Sequence, residues 1–373
     1  MTSLFVKIKG KLENLDIDFE HKFNSKGITV LFGPNGSGKS TILSAIAGFL
    51  DNFEISVISN GIQLEGNQKV PAYKRSIGIM FQDPTLFEHL TVEENLLFPL
   101  KRNKSKSSIK YNIVKEDIIF SLELNNLLKR YPANLSGGEK LRVALARTIL
   151  TKPDYLLLDE PLSDLDIRYK AKILYFLKTF NQKYKIPILY ITHSLEEISQ
   201  ISDDVVLINN GKLVQYGPTA EILNSLNFKN LIGKFESGSL LEGIVLEVNK
   251  SFFLTTLNID GQSLIVPGNP GTIGDHVRVR IRSRDIIITS IVVNASIAEN
   301  VLTGNIIKVE IEKTTAFSEL LIDLDSNNKS KKNQILRVRT STFNLERMQL
   351  SKNKKVYIYI RAVSIDRQAY KRN

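Results

Sequence analysis

Between Gly33 and Thr41 the chain reads Gly-Pro-Asn-Gly-Ser-Gly-Lys-Ser-Thr. Gly33, Gly38, Lys39 and Ser40 meet the phosphate-loop pattern G-x-x-x-x-G-K-[ST] at every required position. The residue types dictate the chemistry. Gly36 and Gly38 permit backbone angles that gather successive N–H groups around one anion. A helix starting near Lys39 would turn its positive end to the same place. Lys39 can reach the β- and γ-phosphates of a nucleotide, and the Ser40 hydroxyl can bind Mg²⁺. Pro34, Asn35, Ser37 and Thr41 complete the nucleotide-binding stretch.

Further groups stand at intervals along the chain. Gln82 follows the apolar run Ser76–Phe81, where it can hold a water or a metal ligand. Leu135-Ser136-Gly137-Gly138-Glu139 precedes a helical sequence; Ser136 can cap that helix and the glycines expose N–H groups at its positive end. It is a second anion-binding tip, roughly a hundred residues after the first, and one chain carrying two such tips needs an explanation. Tyr155-Leu-Leu-Leu-Asp159-Glu160 is an apolar strand ending in two carboxylates. Alternation along a strand sends these to different sides, so one can support Mg²⁺ while the other polarises a water, as hydrolysis at a γ-phosphate requires. Ser163–Asp166 leads into a helix, and His193 ends the strand Ile186–Thr192.

The elements that must position these groups alternate strand and helix. Strands are predicted at Leu4–Ile8, Leu15–Phe19 and Ile28–Phe32, the last feeding the phosphate loop and a helix over Ser40–Leu50. Phe19 and Phe23 lie at strand spacing, which suits core positions or a face for a nucleobase. Residues 51–75 read as turn-rich and poor in strands, 101–110 as an exposed Lys/Ser loop, and Val114–Leu128 as a helix. Val205–Ile208, an Asn210-Gly211 turn and Lys212–Tyr216 form a hairpin, and a helix near Pro218–Leu226 ends this portion. Beyond Ser239 helical periodicity gives way to short strands between Gly, Pro and Asn turns, which predicts one small β-barrel module or two related ones, with 325–333 as an exposed loop.

The length of 373 residues suits two or three domains, and 42% hydrophobic with 24% charged residues indicates a globular chain. The absence of cysteine excludes a disulfide scaffold and thiolate metal sites. The N-terminal stretch alternates like a strand and lacks the apolar core of a signal peptide, and Ile286–Ala298 is too short to span a bilayer. Net charge is +11, and the last 79 residues hold 15 Lys and Arg against 8 Asp and Glu. Such a surface is compatible with solvent, small anions, an acidic membrane or nucleic acid.

Over residues 1–235 the ordered set Gly33–Thr41, Gln82, Leu135–Glu139, Tyr155–Glu160, Ser163–Asp166 and His193 resembles the nucleotide-binding subunit of ATP-binding cassette (ABC) transporters. The resemblance implies an α/β P-loop NTPase fold followed by an all-β, OB-like accessory domain. It implies a head-to-tail homodimer sandwiching two ATP molecules with Mg²⁺, each ATP between Gly33–Thr41 of one chain and Ser136, Gly137 and Gly138 of the other. That accounts for the two anion-binding tips. Glu160 would be the general base, His193 the γ-phosphate sensor, Gln82 a metal contact and link to the membrane partner; Asp159 would serve Mg²⁺, and Asp166 would lie in the nucleotide-facing loop. Glu139 stands where many cassettes have Gln.

The β-rich remainder, divided at 236–294 and 295–373, resembles the accessory domain of importer-type cassettes. Ala295–Asn300, Gly304 and Ile360–Ile365 are similar to the molybdate-binding (Mop) domain of molybdate importers, with Ser296 and Arg361 as candidates for a regulatory oxyanion site. The resemblance implies an ATPase at the cytoplasmic face of the membrane that energises molybdate or tungstate import. It would work through a separate permease and an extracytoplasmic solute-binding protein, with no nucleic acid partner. Sulfate, iron, polyamine or sugar import, or a non-transport ATPase acting on nucleic acid or ribosomes, are the alternatives.

Overall fold

The computed structural model describes the chain apart from residues 1–3, 13–14, 68, 103–111, 164, 226–227, 229–237, 269, 293–297, 313–314, 326–333, 363–369 and 373. It divides into two compact units, Met1–Thr219 and Ala220–Asn373.

In the first unit, strands β1 (Leu4–Leu12), β2 (Leu15–Phe23) and β3 (Ile28–Phe32) precede helix α1 (Lys39–Ala47). There follow β4 (Glu54–Ser59), β5 (Ile62–Glu65) and β6 (Ile77–Met80), then α2 (Val92–Arg102), α3 (Lys115–Ser121) and α4 (Gly137–Leu150). Strand β7 (Tyr155–Asp159), α5 (Ile167–Tyr184), β8 (Ile188–Ile191), α6 (Leu195–Ile201), β9 (Asp204–Asn209) and β10 (Lys212–Pro218) complete the unit. All ten strands form one sheet in the order β5-β4-β1-β2-β10-β9-β3-β8-β7-β6. The half from β9 to β6 is parallel, and β3, β7 and β8 are buried along their whole length. That is why these strands read as unbroken apolar runs. Helix α1 packs Ile42, Leu43 and Ile46 into the core shared with Leu31, Leu157 and Leu189. The parallel order puts the carboxyl ends of β3, β6, β7 and β8 on one edge, where ligands of such sheets bind.

Two sequence expectations need correction here. The stretch 51–75 holds the hairpin β4–β5, turning at Asn60 and Gly61, both left-handed (φ 56° and 78°). Asn-Gly is the preferred pair for such a two-residue turn, so the signal was present. The helix expected over Val114–Leu128 stops at Ser121. Glu123 turns left-handed (φ 55°), its carboxylate held by Lys172 at 2.6 Å, and only a 3-10 turn at Asn125–Leu127 follows.

Among its described residues the second unit is all β apart from short helices. Strands β11 (Gly238–Asn249), β12 (Leu254–Ile259), β13 (Gln262–Pro267) and β14 (His276–Arg282) form one sheet, joined by the last strand β20 (Tyr370–Arg372). Strands β15 (Ile286–Thr289), β16 (Asn300–Ile311), β17 (Phe317–Leu324), β18 (Ile335–Ser341) and β19 (Lys355–Ile360) form the other, in the order β15-β19-β16-β17-β18. Both contribute to one core, with Leu241, Leu257, Val279, Leu302, Leu320 and Ile358 almost fully buried. Side-chain amides tie the sheets together. Asn300 exchanges hydrogen bonds with the Ile265 N–H (2.5 Å) and C=O (2.9 Å), as a neighbouring strand would. Gln262 does the same with the N–H (2.7 Å) and C=O (3.0 Å) of Thr303.

Candidate functional site

The phosphate loop joins β3 to α1 and is held from beneath. Gly33 packs so closely that a Cβ there would lie 2.2 Å from the Ile208 carbonyl oxygen. Gly38, the N-cap of α1, is left-handed (φ 98°), a conformation favouring glycine. No side chain caps α1, and its first turn carries no acidic residue, so its exposed N–H groups remain suited to an anion. The Gly211 N–H donates to the Ser37 carbonyl at 3.0 Å, bracing the loop against the β9–β10 turn.

Lys39 is buried and donates to the Gly33 and Pro34 carbonyls, both at 2.9 Å. Burial lowers its pKa, while Glu160 and Asp159 counter the shift. The buried Ser37 hydroxyl has no hydrogen-bond partner. A loop whose lysine folds back on its own carbonyls and whose hydroxyl is unpartnered suits an incoming phosphate, which can draw on both donors. Thr41 is half-buried on the first turn of α1, and Pro34, Asn35 and Gly36 are exposed.

Asp159 ends β7 and is buried. Burial raises its pKa; the hydrogen bond from Ser40 acts in the opposite direction, with a smaller lowering from Lys39. Ser40 and Asp159 are therefore in contact. Their oxygens are the hard donors that Mg²⁺ prefers, so this pair fits the ion. Glu160 differs from the simple alternation expected of a strand. It lies past the end of β7 with φ 43°, left-handed for a residue with a Cβ. Its N–H donates to the Ile191 carbonyl at 3.1 Å, and its carboxylate stands 3.2 Å from His193 Nδ1. The His193 side chain is 62% exposed, so one face stays open to a ligand. Gln82 is exposed just beyond β6, whose register sets Met80 beside Leu158. The sheet thus gathers Gly33, Gln82, Asp159, Glu160 and His193 on one edge.

Ser136 builds the second tip. Its hydroxyl accepts from the Glu139 N–H at 3.3 Å, and its own N–H donates to the Glu139 carboxylate at 2.7 Å, a reciprocal capping box. The Glu that replaces the usual Gln therefore keeps the capping role. The bond to the Ser136 N–H holds its carboxyl below the usual range. Acting as an acceptor leaves the Ser136 hydroxyl hydrogen available to an outside oxygen. Ser136 and Gly137 are exposed and Gly138 is half-buried. Asp166 caps α5, accepting from the Tyr169 N–H at 3.1 Å, and Asp164 of the same loop lies outside the described residues.

Phe19 and Phe23 are buried in the core, with 0% and 1% exposure, so neither offers a face to a nucleobase. Arg361 is exposed near Glu299, whose carboxylate accepts from the Ala362 N–H at 3.0 Å. Ser296 lies outside the described residues, as do most of the expected loops at 101–110 and 325–333.

Asn95 and Arg147 escaped the sequence reading. Asn95, fully buried on α2, donates to the carbonyls of Phe87, Leu90 and Thr91 and accepts from the Phe87 N–H. Arg147 on α4 donates to Asn95 at 3.3 Å and to the Thr85 carbonyl. Together they clamp the segment after Gln82 to the helix that Ser136 begins. Neither residue type signals this role, because their partners are fixed only by the fold.

Residues 17–163 match the family model for the ABC transporter. The chain is 36% identical over 323 residues to the molybdenum import ATP-binding protein ModC of Haemophilus influenzae, covering 86% of this chain and 90% of that protein. With the same-named protein of Pasteurella multocida it shares 31% over 366 residues, 97% of this chain and 99% of the relative. Among solved structures it is similar to a bacterial Atm1-family ABC exporter with ATP bound. The TM-score is 0.51 at 25% identity, over 62% of this chain and 41% of that one.

Proposed function

The chain belongs to the ABC transporter family, among its molybdenum import ATP-binding proteins, and on that premise we propose that it hydrolyses ATP to drive molybdate or tungstate import through a separate permease. The observation that supports this cargo best is likeness along the whole length. The match to the Pasteurella multocida protein runs through the all-β unit and the ATPase portion alike. The relatives are molybdenum import proteins by name, which favours molybdenum over sulfate, iron, polyamine or sugar.

In this reading residues 1–235 form the ATPase and the segments 236–294 and 295–373 its accessory part. Gly33–Thr41 grips the phosphates of ATP, and Lys39 turns from the Gly33 and Pro34 carbonyls to the β- and γ-phosphates. Ser40, Asp159 and Gln82 hold Mg²⁺, which when bound neutralises charge on the phosphate oxygens. Glu160 accepts the proton of the attacking water, and His193, beside it, senses the γ-phosphate. Ser136, Gly137 and Gly138 of a second copy close over the same nucleotide, with Asp166 flanking that junction. The homodimer sits at the cytoplasmic face of the membrane and receives its cargo from an extracytoplasmic solute-binding protein. Ser296 and Arg361 are the candidates for a regulatory oxyanion site.

The test is reconstitution with the permease in lipid vesicles. Molybdate and tungstate uptake should require ATP and vanish in Glu160→Gln. ATP-driven uptake of sulfate at an equal rate would reject the cargo assignment.

A further inference from the structure

We propose that Thr192 and Glu197 are positioning residues for ATP hydrolysis, holding His193 against Glu160 through a closed ring of hydrogen bonds. The inference rests on the reading of Glu160 and His193 as hydrolytic groups. Thr192, buried at the end of the β8 run, donates its hydroxyl to Glu197 Oε2 at 2.7 Å. The same hydroxyl oxygen accepts the Ser194 N–H at 3.0 Å. Ser194 caps α6, its hydroxyl accepting the Glu197 N–H at 3.3 Å. The ring therefore runs from Thr192 to Ser194 to Glu197 and back, and His193 is the residue it encloses.

His193 needs such a frame. Its side chain is 62% exposed, and its polar contact is to Glu160 at 3.2 Å. Packing alone does not fix an exposed ring, whereas fixing the backbone on both sides sets the direction from which it leaves. Glu197 is 5% exposed, a costly place for a carboxylate unless it is well partnered. It has those partners. The fully buried Tyr190 hydroxyl donates to Oε2 at 2.9 Å, and Lys170 Nζ on α5 lies 3.6 Å from Oε1. Burial and the adjacent carboxylate keep the Tyr190 phenol protonated and thus a donor. A serine cap alone would start α6. The additional carboxylate ties the cap to the residue preceding His193, which helix formation does not require.

Thr192→Val keeps the side chain's shape and removes the hydroxyl. Under single-turnover conditions its hydrolysis should be about tenfold slower, with ATP affinity changed less than about threefold, as expected from losing one charged hydrogen bond. Thr192→Ser should recover most of the rate. In a His193→Ala background Thr192→Val should add no further slowing, since the two act in series. Equal slowing in both backgrounds, or a wild-type rate in Thr192→Val, would overturn the inference. Should Thr192→Val fail to fold, Glu197→Asp, which withdraws the carboxylate by one methylene, is expected to show the same pattern. Absence of hydrolysis in the wild-type chain would instead reject the ATPase reading, and this inference with it.

Discussion

Glu160 stands where it does because its backbone is left-handed at φ 43°. For a residue with a Cβ that conformation costs roughly 1–3 kcal/mol, and the N–H bond to Ile191 helps to hold it. The strain carries the carboxylate off the strand axis to His193, leaving Asp159 in the sheet with Ser40. Glu160→Gln preserves this shape and removes the carboxylate proposed as the base. Phosphate release should drop about 10²- to 10⁴-fold while ATP binding, followed with a fluorescent analogue, persists. His21 offers a second test. Packed between Phe23 (4.8 Å) and Tyr216 (4.7 Å), it is pushed down by burial to about 4 from an ordinary 6.5. The folded state therefore keeps it neutral where the unfolded chain charges it. Its contribution to stability is present above pH 6.5 and is lost as pH falls from 6.5 toward 4, by at most about 1.4 kcal/mol per pH unit. Denaturant midpoints measured across that window should fall less steeply in His21→Phe; identical slopes would contradict the assignment.

Among the elements, the hydrolytic edge depends on strands legible in the sequence and on clamps that are not. The phosphate loop, the capped tip at Ser136 and the apolar run into Asp159 could be read because each motif's chemistry is local. A glycine, a lysine and a helix start must be neighbours to hold a phosphate, and Ser136 and Glu139 must be three apart to cap each other. Asn95 and Arg147 lie 52 positions apart and meet only in the fold. Past the helix end at Ser121, the partner of the Glu123 carboxylate, Lys172, is likewise distant in sequence. The β4–β5 hairpin was legible from Asn60-Gly61 but was masked by the polar residues around it. Asn95 gives the sharpest prediction at this scale. Asn95→Ala strands several buried backbone groups and should lower stability by about 2–3 kcal/mol in urea titrations. A change under about 0.5 kcal/mol, typical of surface sites, would show that the clamp contributes little.

For the whole molecule the two glycine-bearing tips have to be reconciled with one reaction. The loop at Lys39 grows from the sheet edge beside Asp159, while the tip at Ser136 begins a different helix and keeps its hydroxyl hydrogen for an outside acceptor. In the proposed function two copies arranged head to tail would let each tip serve the other's nucleotide. Subunit mixing tests this most directly. Lys39→Ala and Ser136→Arg should each be inactive alone, since every site in either homodimer lacks one half. Mixed together, they form heterodimers in which one site pairs an intact Lys39 loop with an intact Ser136 tip, and ATP hydrolysis should return. A mixture as inactive as its separate components, with heterodimers demonstrably present, would contradict the shared site.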